Sequence, residues 1–559
     1  MKRRWAPWLI GILAASLLFA ALLTFTDFHY SGSDDTPILR AFMGYEGGEP
    51  ASFHLYAHTV LAGLLWALAK LAPSVAWYSI LQLFLLWLSC AVMVKSLVQI
   101  GARSRAGWLT GAVGGLLLCG AIGLYVCCRV SYTTTAALCG AAAVAQLMSV
   151  DPDAKPRAQL WRGLGSAALL LAAYCLRQIS VLPPLAFWLG ALLWRLLTQK
   201  SRRPLVLLLV WTMAALAVFA GGRELELSLR GQRDWLDWQN ARIDLFDYTH
   251  YDTDTSAEAL AQVGWTDAEF RLIKAWYFMD DNITAEAFRT LLAAQPGGQP
   301  SVSAAVQTVK GYFAGDSPMR LTAIALMLLA LWCVLVQALR GEKSPWGYLA
   351  PVCGVLLCAA MLCYLGYRGR LPMRAAASAL FPAAAFLAAL AMELLAPGTR
   401  RWTNAAALIG ACACAALLCV SIARTVPTLY IDPNAEEMNT AADLDRYALE
   451  NPDKLIIYDL SLVSDDRLFP DASEGIPGNV MFWGGYPARS PSWYAMLDKY
   501  GVTELGPQLF LRENVLVAST DPEPWQSLVE YVAENTDADV EWDFYDTSGY
   551  VNVFQLYEW

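Results

Sequence analysis

The sequence contains little charge and few histidines. Only 16% of its 559 residues are Asp, Glu, Lys or Arg, and there are four histidines. It has no Gly-rich loop of the kind that holds nucleotide phosphates, no internal repeat and no low-complexity run. Nothing in it therefore predicts a nucleotide site or a repeat architecture. With 57% hydrophobic residues, the chain is too apolar for a large soluble protein.

Cysteine is absent from every segment that we expect outside the membrane. All thirteen cysteines fall in long apolar runs, and the neighbouring cysteines at 127/128 and 412/414 lack the spacing and partners of a zinc site. The external segments are therefore held by no disulfide framework. We interpret the cysteines as small apolar residues that pack between helices.

The chain is instead dominated by long runs without charge. Eleven runs approach the length that crosses about 30 Å of hydrocarbon; they cover residues 5–26, 71–94, 106–128, 130–150, 163–176, 178–194, 204–222, 321–339, 344–367, 375–392 and 402–423. In lipid, a helix satisfies its own backbone hydrogen bonds. The predicted fold is a polytopic α-helical membrane protein with about 11 transmembrane helices. The first run also resembles a signal peptide, but its length favours a retained anchor.

A twelfth run, residues 50–69, carries His54, Tyr56 and His58. Counting Lys and Arg in the short loops decides whether this run spans the membrane. If it does not span, the loops on the N-terminal side hold 17 basic residues against 7 on the other side; if it spans, the counts become 9 and 15. Since short cytoplasmic loops are enriched in Lys and Arg, the first arrangement is favoured. We therefore predict a helix over residues 52–70 in the outer interface of the plasma membrane, with a cytoplasmic N-terminus.

This topology divides the chain into four parts. Residues 1–222 form an N-terminal membrane core with an external first loop at 27–70, and residues 223–320 form an external helical insert. Further membrane helices follow in residues 321–424. Residues 425–559 form an external tail.

The tail has the pattern of a small extracytoplasmic α/β domain. "KLIIYDL" and "NVLVAST" read as strands, "PWQSLVEYVAEN" as an amphipathic helix, and the last twenty residues as two strands joined at Thr-Ser-Gly. It carries 25 acidic and 6 basic side chains, so we expect neither nucleic acid nor an anionic membrane surface as its partner.

Two aromatic segments allow two interpretations each. The segment around Trp483 and Trp493 either packs on the core of the tail domain or lines a carbohydrate or lipid-headgroup cleft. Residues 234–254 of the insert mix carboxylates with aromatic side chains, which suits either a loop over a polar cleft or a solvated acidic face.

The first external loop contains two adjacent acids, Asp34 and Asp35, which are the candidate catalytic residues. In "SDDTPILR", Thr36 and Pro37 are typical of a helix start, where an acid favours the positive end of the helix. That explains one acid better than two. Because adjacent side chains on extended backbone point apart, we expect only one to face a cleft, and we favour Asp34.

Basic residues also collect at the predicted outer rim. Arginines on the less basic side of the membrane oppose the charge bias, and a buried lipid phosphate would explain them through paired hydrogen bonds from guanidinium groups. The alternatives are snorkelling and pairing between helices. The candidate phosphate-binding residues are Arg40, His54, His58, Arg129, Arg177, Arg368, Arg370 and Arg374.

An outward carboxylate with arginines at headgroup depth suits transfer of a sugar from a polyprenyl-phosphate carrier. The lipid phosphate is the leaving group, arginines stabilise its charge, and a carboxylate takes the proton of the attacking hydroxyl. The acceptor would be an extracytoplasmic glycan, lipid or protein. Other hypotheses are a surface-polysaccharide polymerase or ligase, a transporter or flippase of a lipid-linked substrate, and a non-catalytic scaffold.

The order of these parts resembles the GT-C superfamily of membrane glycosyltransferases, and "SGSDD" at 31–35 and "HLYAH" at 54–58 carry the resemblance. It extends over the architecture of most of the chain. It implies that an acid of the first external loop, Asp34 or Asp35, is the catalytic base or a metal ligand. The cofactor it allows is a divalent cation, Mg²⁺ or Mn²⁺, and it implies no other.

Overall fold

Twenty-one helices account for most of the computed structural model, which describes residues 5–31, 34–45, 47–199, 202–248, 257–294, 301–315, 319–369, 371–430, 440–464, 467–485, 487–536 and 538–559. The helices are α1 (Ala6–Phe25), α2 (Asp35–Met43), α3 (Thr59–Leu71), α4 (Trp77–Arg103), α5 (Trp108–Cys128), α6 (Tyr132–Met148), α7 (Pro156–Leu176), α8 (Leu182–Thr198), α9 (Arg203–Leu229), α10 (Arg233–Arg242), α11 (Ala257–Val263), α12 (Asp267–Lys274), α13 (Ala285–Ala294), α14 (Val302–Ala314), α15 (Arg320–Arg340), α16 (Trp346–Tyr367), α17 (Met373–Leu394), α18 (Arg401–Thr425), α19 (Thr440–Glu450), α20 (Pro491–Lys499) and α21 (Gln526–Thr536). A π-helix, Ile243–Tyr248, directly follows α10.

Nine helices within the described ranges are long and apolar enough to cross a membrane: α1, α4, α5, α8 with the turn before it, α9, α15, α16, α17 and α18. The chain is thus a polytopic α-helical membrane protein. The other two predicted spans form α6 and α7, which do not meet these criteria, so the count of about eleven is not confirmed. α6 has only 17 residues, all buried, and its small alanine side chains allow α4, α7, α8 and α17 to pack around it.

The predicted interfacial helix is shorter than expected. α3 has 13 residues, about 20 Å of helix, which is less than the hydrocarbon thickness. The predicted start at residue 52 is wrong, because the Nδ1 atom of His54 accepts hydrogen bonds from the backbone N–H groups of Tyr56 and Ala57 and holds a non-helical loop. His58 then caps α3 through Val60 N–H.

α17 connects two charged ends of the helix bundle. Arg374 is its second residue and Glu393 its last but one, about 28 Å apart along a helix with a 1.5 Å rise. Glu393 forms ion pairs with Arg103 and, at 2.6 Å, with Arg195. Glu393 and Arg374 therefore lie at opposite ends of the membrane core.

The tail contains a five-stranded mixed sheet, as the predicted α/β pattern requires. The strands are β3 (Leu455–Tyr458), β4 (Val480–Phe482), β5 (Val515–Ser519), β6 (Val540–Ser548) and β7 (Val551–Glu558), in the order β4-β3-β5-β7-β6. β3 is parallel to β4 and β5, whereas β7 is antiparallel to β5 and β6. In the membrane part, β1 (His29–Tyr30) and β2 (Arg129–Val130) form a short parallel pair.

The insert and the tail share one hydrophobic core. Tyr277 of the insert packs against Trp483 and Tyr531 of the tail, with ring centroids 5.8 and 5.5 Å apart. Trp483 and Trp493 are buried, so their segment packs on the core instead of lining a cleft. The insert and the tail thus form a single body, which we name the external body because both segments are predicted to lie outside the membrane.

Gly484 is required at the junction of insert and tail. Gly484 forms an isolated β-bridge with Tyr277. A Cβ atom added at Gly484 would lie 1.4 Å from the carbonyl oxygen of Trp276. Because the obstructing atom belongs to the backbone, small side-chain movements cannot relieve the clash.

We expect Gly484→Ala to destabilise the external body by at least the upper end of the roughly 1–3 kcal/mol that overpacking usually costs. Thermal unfolding of the purified protein in detergent, with limited proteolysis of the insert, measures this. Gly190→Ala is the control, because a Cβ atom at that helical position meets no atom within 4 Å. Equal melting temperatures for the two variants would contradict the prediction.

Candidate active site

The two adjacent acids of the first loop lie in different environments. Asp34 and Asp35 both have helical backbone, not the extended backbone assumed from the sequence, so their side chains diverge by the roughly 100° step of a helix. Asp35 is completely buried, whereas the side chain of Asp34 is 26% exposed. Asp34 is therefore the more accessible of the two acids.

Asp35 joins three helices through one carboxylate oxygen. Oδ1 accepts hydrogen bonds from Tyr78 Oη at 2.9 Å, Gln82 Nε2 at 3.2 Å and the backbone N–H of Tyr132 at 2.9 Å. The last donor belongs to the first turn of α6, where a carboxylate is also favoured by the helix dipole. Oδ2 is buried without a hydrogen-bond partner in the described part of the chain. Burial raises the pKa of Asp35 to about 6, although these hydrogen bonds oppose the increase.

Asp34 forms an ion pair with an arginine 340 residues away in the sequence. The Nη1 atom of Arg374 lies 2.8 Å from Oδ2 of Asp34, and both side chains are about one-quarter exposed. Arg374 is in the first turn of α17. The structure therefore brings together the favoured acid and one arginine of the predicted 368–374 cluster.

Arg177 lies beside two tyrosines close to this pair. It donates to Tyr132 Oη at 2.7 Å and to Thr133 Oγ1 at 2.5 Å. Its guanidinium carbon lies 4.7 Å from the ring centroid of Tyr132 and 5.5 Å from that of Tyr56, and the two rings stack 5.7 Å apart. The backbone N–H of Tyr132 also donates to Asp35. One hydrogen-bond network therefore links Arg177 to α2.

The pKa of Tyr56 responds to the charges of this region. Burial raises its pKa to about 12, and the negative charge of Asp34 adds to the increase, while Arg242 and Arg177 oppose it. Tyr56 is therefore a neutral hydroxyl and a hydrogen-bond donor at physiological pH. Neither Tyr56 nor Tyr132 is a candidate from the sequence, where the only signal is an aromatic residue within three positions of a candidate histidine or arginine.

Three other predicted arginines have different partners. Arg40 forms a buried two-bond ion pair with Asp445 of the tail, at 2.7 and 3.3 Å, and connects the first loop to the tail. Arg129 donates to the carbonyl oxygen of Asp27 at 2.8 Å. Arg368 lies 3.5 Å from Asp244 of the insert. Arg370 lies outside the described residues.

The two predicted histidines organise the loop before α3. His54 is buried, and burial followed by the charge of Arg223 lowers its pKa to about 3. It is therefore neutral and does not offer a positive charge to a phosphate. The Nε2 atom of His58 lies 2.9 Å from the carbonyl oxygen of Phe219, which ties the loop to α9.

The candidate ligands of a divalent cation are Asp34 and Asp35. Within the described ranges, no group of three or more His, Cys, Asp or Glu side chains is arranged to hold a metal ion. Asp34 faces a guanidinium, and Oδ1 of Asp35 accepts three hydrogen bonds. Mg²⁺ and Mn²⁺ prefer several oxygen ligands, and a divalent cation at Asp34 or Asp35 stays a prediction.

We predict that Asp35 positions its neighbours and that its charge is dispensable. Asp35→Asn keeps an acceptor oxygen for the three donors, whereas Asp35→Ala leaves them unpaired and should cost about 3 kcal/mol or more. The folded protein binds more protons than the unfolded chain between pH 3.8 and about 6, so Asp35 lowers stability as the pH rises through this range.

Melting temperatures of the three proteins between pH 4 and 7 measure both effects. We expect Asp35→Asn to show a smaller loss of stability with rising pH than the parent protein. A steeper loss, or an Asp35→Asn variant as unstable as Asp35→Ala, would contradict the positioning role.

No family model matches the chain, and no curated protein matches it. Among solved structures, it is similar to ArnT from Cupriavidus metallidurans in the apo state, with a TM-score of 0.40 and 13% identity over 98% of this chain and 97% of that one. The same protein bound to undecaprenyl phosphate gives a TM-score of 0.37 and 12% identity, over 100% and 98% of the two chains. A likeness at this level assigns no role to any residue.

Proposed function

We propose that the protein is a membrane glycosyltransferase that moves a sugar from a polyprenyl-phosphate carrier to an extracytoplasmic acceptor. The observation that carries the proposal is the ion pair of Asp34 and Arg374 beside Arg177, at one end of the helix bundle. A carboxylate and two guanidinium groups are the chemical groups needed by a reaction with a hydroxyl nucleophile and a phosphate leaving group.

The charge bias supports an extracytoplasmic position of this end. The first loop, the insert and the tail are connected to it by the pairs Arg40–Asp445 and Arg368–Asp244. The opposite end holds the basic short loops, which favour the cytoplasm. On this orientation, the protein lies in the plasma membrane with a cytoplasmic N-terminus and an extracytoplasmic tail.

Asp34 would serve as the general base. The acceptor hydroxyl gives its proton to the Asp34 carboxylate while its oxygen forms a bond to the anomeric carbon of the sugar. The bond between that carbon and the phosphate oxygen breaks, and its electron pair remains on the phosphate. Arg374 and Arg177 stabilise the additional negative charge through hydrogen bonds.

The ion pair in the ligand-free protein provides a way to couple binding to catalysis. Asp34 and Arg374 neutralise each other, and a phosphate that binds Arg374 competes with Asp34 for the same donors. The carboxylate is then free to accept a proton. Asp35 holds Asp34 in place through α2 but does not touch the reacting atoms.

We predict that Asp34→Asn lowers sugar transfer by about 10²–10⁴-fold, because a positioned base contributes about that factor. The assay is transfer of labelled sugar from a polyprenyl-phosphate donor to cell-envelope acceptors by the purified protein. Asp27→Asn is the matched control, since Asp27 is a half-exposed acid of the same loop whose side chain faces His29.

Arg374→Gln should lower the rate by about 10²–10³-fold, the effect of removing one donor from a developing oxyanion. Unchanged transfer in Asp34→Asn would contradict the proposed base. Movement of the lipid-linked substrate across proteoliposomes without covalent change would instead indicate a transporter or flippase. Repeated addition to a growing glycan would indicate a polymerase.

A further inference from the structure

The segment of the insert formed by α10 and the following π-helix contacts two parts of the chain that lead into the candidate site. Near its start, the ring of Trp235 lies 6.1 Å from that of Phe53 in the first loop. Near its end, Asp244 lies 3.5 Å from Arg368 at the end of α16. Tyr56 lies in the same loop as Phe53, and Arg374 follows Arg368 by six residues. The segment thus contacts both sides of the site, and π-helices often occur at functional positions.

Arg242, the last residue of α10, is a buried cation without a carboxylate partner in the described part of the chain. It is 2% exposed, and its Nη1 atom has no hydrogen-bond partner there. Nε donates to Gln239 Oε1 at 3.0 Å. Its guanidinium carbon lies 5.0 Å from the ring centroid of Trp276 and 5.9 Å from that of Phe278.

These contacts compensate only part of the burial of a charge. Stacking on aromatic rings stabilises a guanidinium, but an unpaired buried ion is strongly unfavourable. Trp276 also has a φ of 66°, a conformation that a bulky residue rarely adopts and that is concentrated at functional sites. Both features are expected where a protein holds a cation ready for an anionic ligand.

The charge of Arg242 acts on Tyr56 of the candidate site. Burial and Asp34 raise the pKa of Tyr56, and Arg242 and Arg177 both oppose the increase. Arg242 from the insert and Arg177 from the membrane core therefore act on the same tyrosine from different elements. This electrostatic effect agrees with the position of α10 between Phe53 and Arg368.

We propose that Arg242 is a third guanidinium ligand of the lipid phosphate, contributed by the external insert opposite Arg177 and Arg374. The inference rests on the proposed function and specifies it further: the insert takes part in binding the carrier, and the ligand is a phosphate borne by a polyprenyl chain. Arg242 would form a charge-assisted hydrogen bond with a phosphate oxygen through Nη1, which has no hydrogen-bond partner in the described part of the chain.

The test is ligand binding to the full-length protein in detergent, with polyprenyl monophosphate, the uncharged polyprenol of the same length, and inorganic phosphate. We expect Arg242→Gln to weaken binding of polyprenyl phosphate by about tenfold or more, since hydrogen bonds to charged groups are strong. Polyprenol binding should not change. Arg242→Lys should recover part of the affinity, because it keeps the charge but loses the planar fork.

Arg289→Gln is the control, since Arg289 is a half-exposed arginine of the same insert that pairs with Asp237 at 2.5 Å. It should bind all three ligands like the parent protein. If Arg242→Gln binds polyprenyl phosphate like the parent, or loses affinity for polyprenol to the same extent, the assignment of Arg242 is wrong. Inorganic phosphate that binds as tightly as the lipid would overturn the lipid source of the anion.

The outcomes separate this inference from the proposed function. If the parent protein does not prefer polyprenyl phosphate to polyprenol, the carrier itself is wrong and the proposed function fails. If the parent has this preference and Arg242→Gln retains it, only the role of Arg242 fails. Melting temperatures of the variants identify a loss of binding that results from unfolding.

Discussion

The end of the membrane core that holds the candidate site depends on one buried carboxylate. A single oxygen of Asp35 accepts hydrogen bonds from two side chains of α4 and from the first backbone N–H of α6. Burying a carboxylate is unfavourable unless several donors compensate it, so α2 can occupy only the position in which all three bonds form. This constraint fixes Asp34 next to the start of α17, and it also fixes Tyr132, which orients Arg177.

Four of the candidate arginines at this end have specific partners, which argues against free snorkelling of these side chains into water. Arg40 is paired with Asp445, Arg374 with Asp34, Arg177 with the Tyr132 and Thr133 hydroxyls, and Arg129 with a backbone carbonyl. They differ in what a ligand can replace. The Arg40 pair is almost completely buried between two segments, whereas the Arg374 pair is partly exposed and shares its surroundings with neutral tyrosines. A phosphate can therefore compete at Arg374 without separating the tail from the membrane core.

The sequence predicts the helices better than the site. The apolar runs identify nearly all membrane helices, because a lipid-exposed helix must be apolar along its length. It does not reveal that Asp35 is the buried acid, since this depends on Tyr78 and Gln82 of another helix, or that Arg374 is the partner of Asp34, since the two are far apart in the chain.

The two candidate histidines also show that the role of a polar side chain cannot be read from its position in the sequence alone. The sequence places His54 and His58 in an apolar run and predicts that they bind phosphate. In the structure both accept backbone N–H groups, and His54 is neutral because it is buried beside Arg223. A polar side chain before a helix often satisfies backbone groups, and spacing alone does not separate this role from ligand binding.

The acidic external body sets a condition on how an anionic substrate can reach Arg242, Arg177 and Arg374. The tail carries 25 acidic side chains against 6 basic ones, so its field repels anions that approach through water. This field is screened over about 8–10 Å at physiological ionic strength, whereas guanidinium hydrogen bonds act at contact. Under the proposed function, a phosphate attached to a membrane lipid would approach in the plane of the bilayer, whereas a dissolved polyanion would approach through water. The charge of the tail therefore agrees with the proposed lipid-borne phosphate.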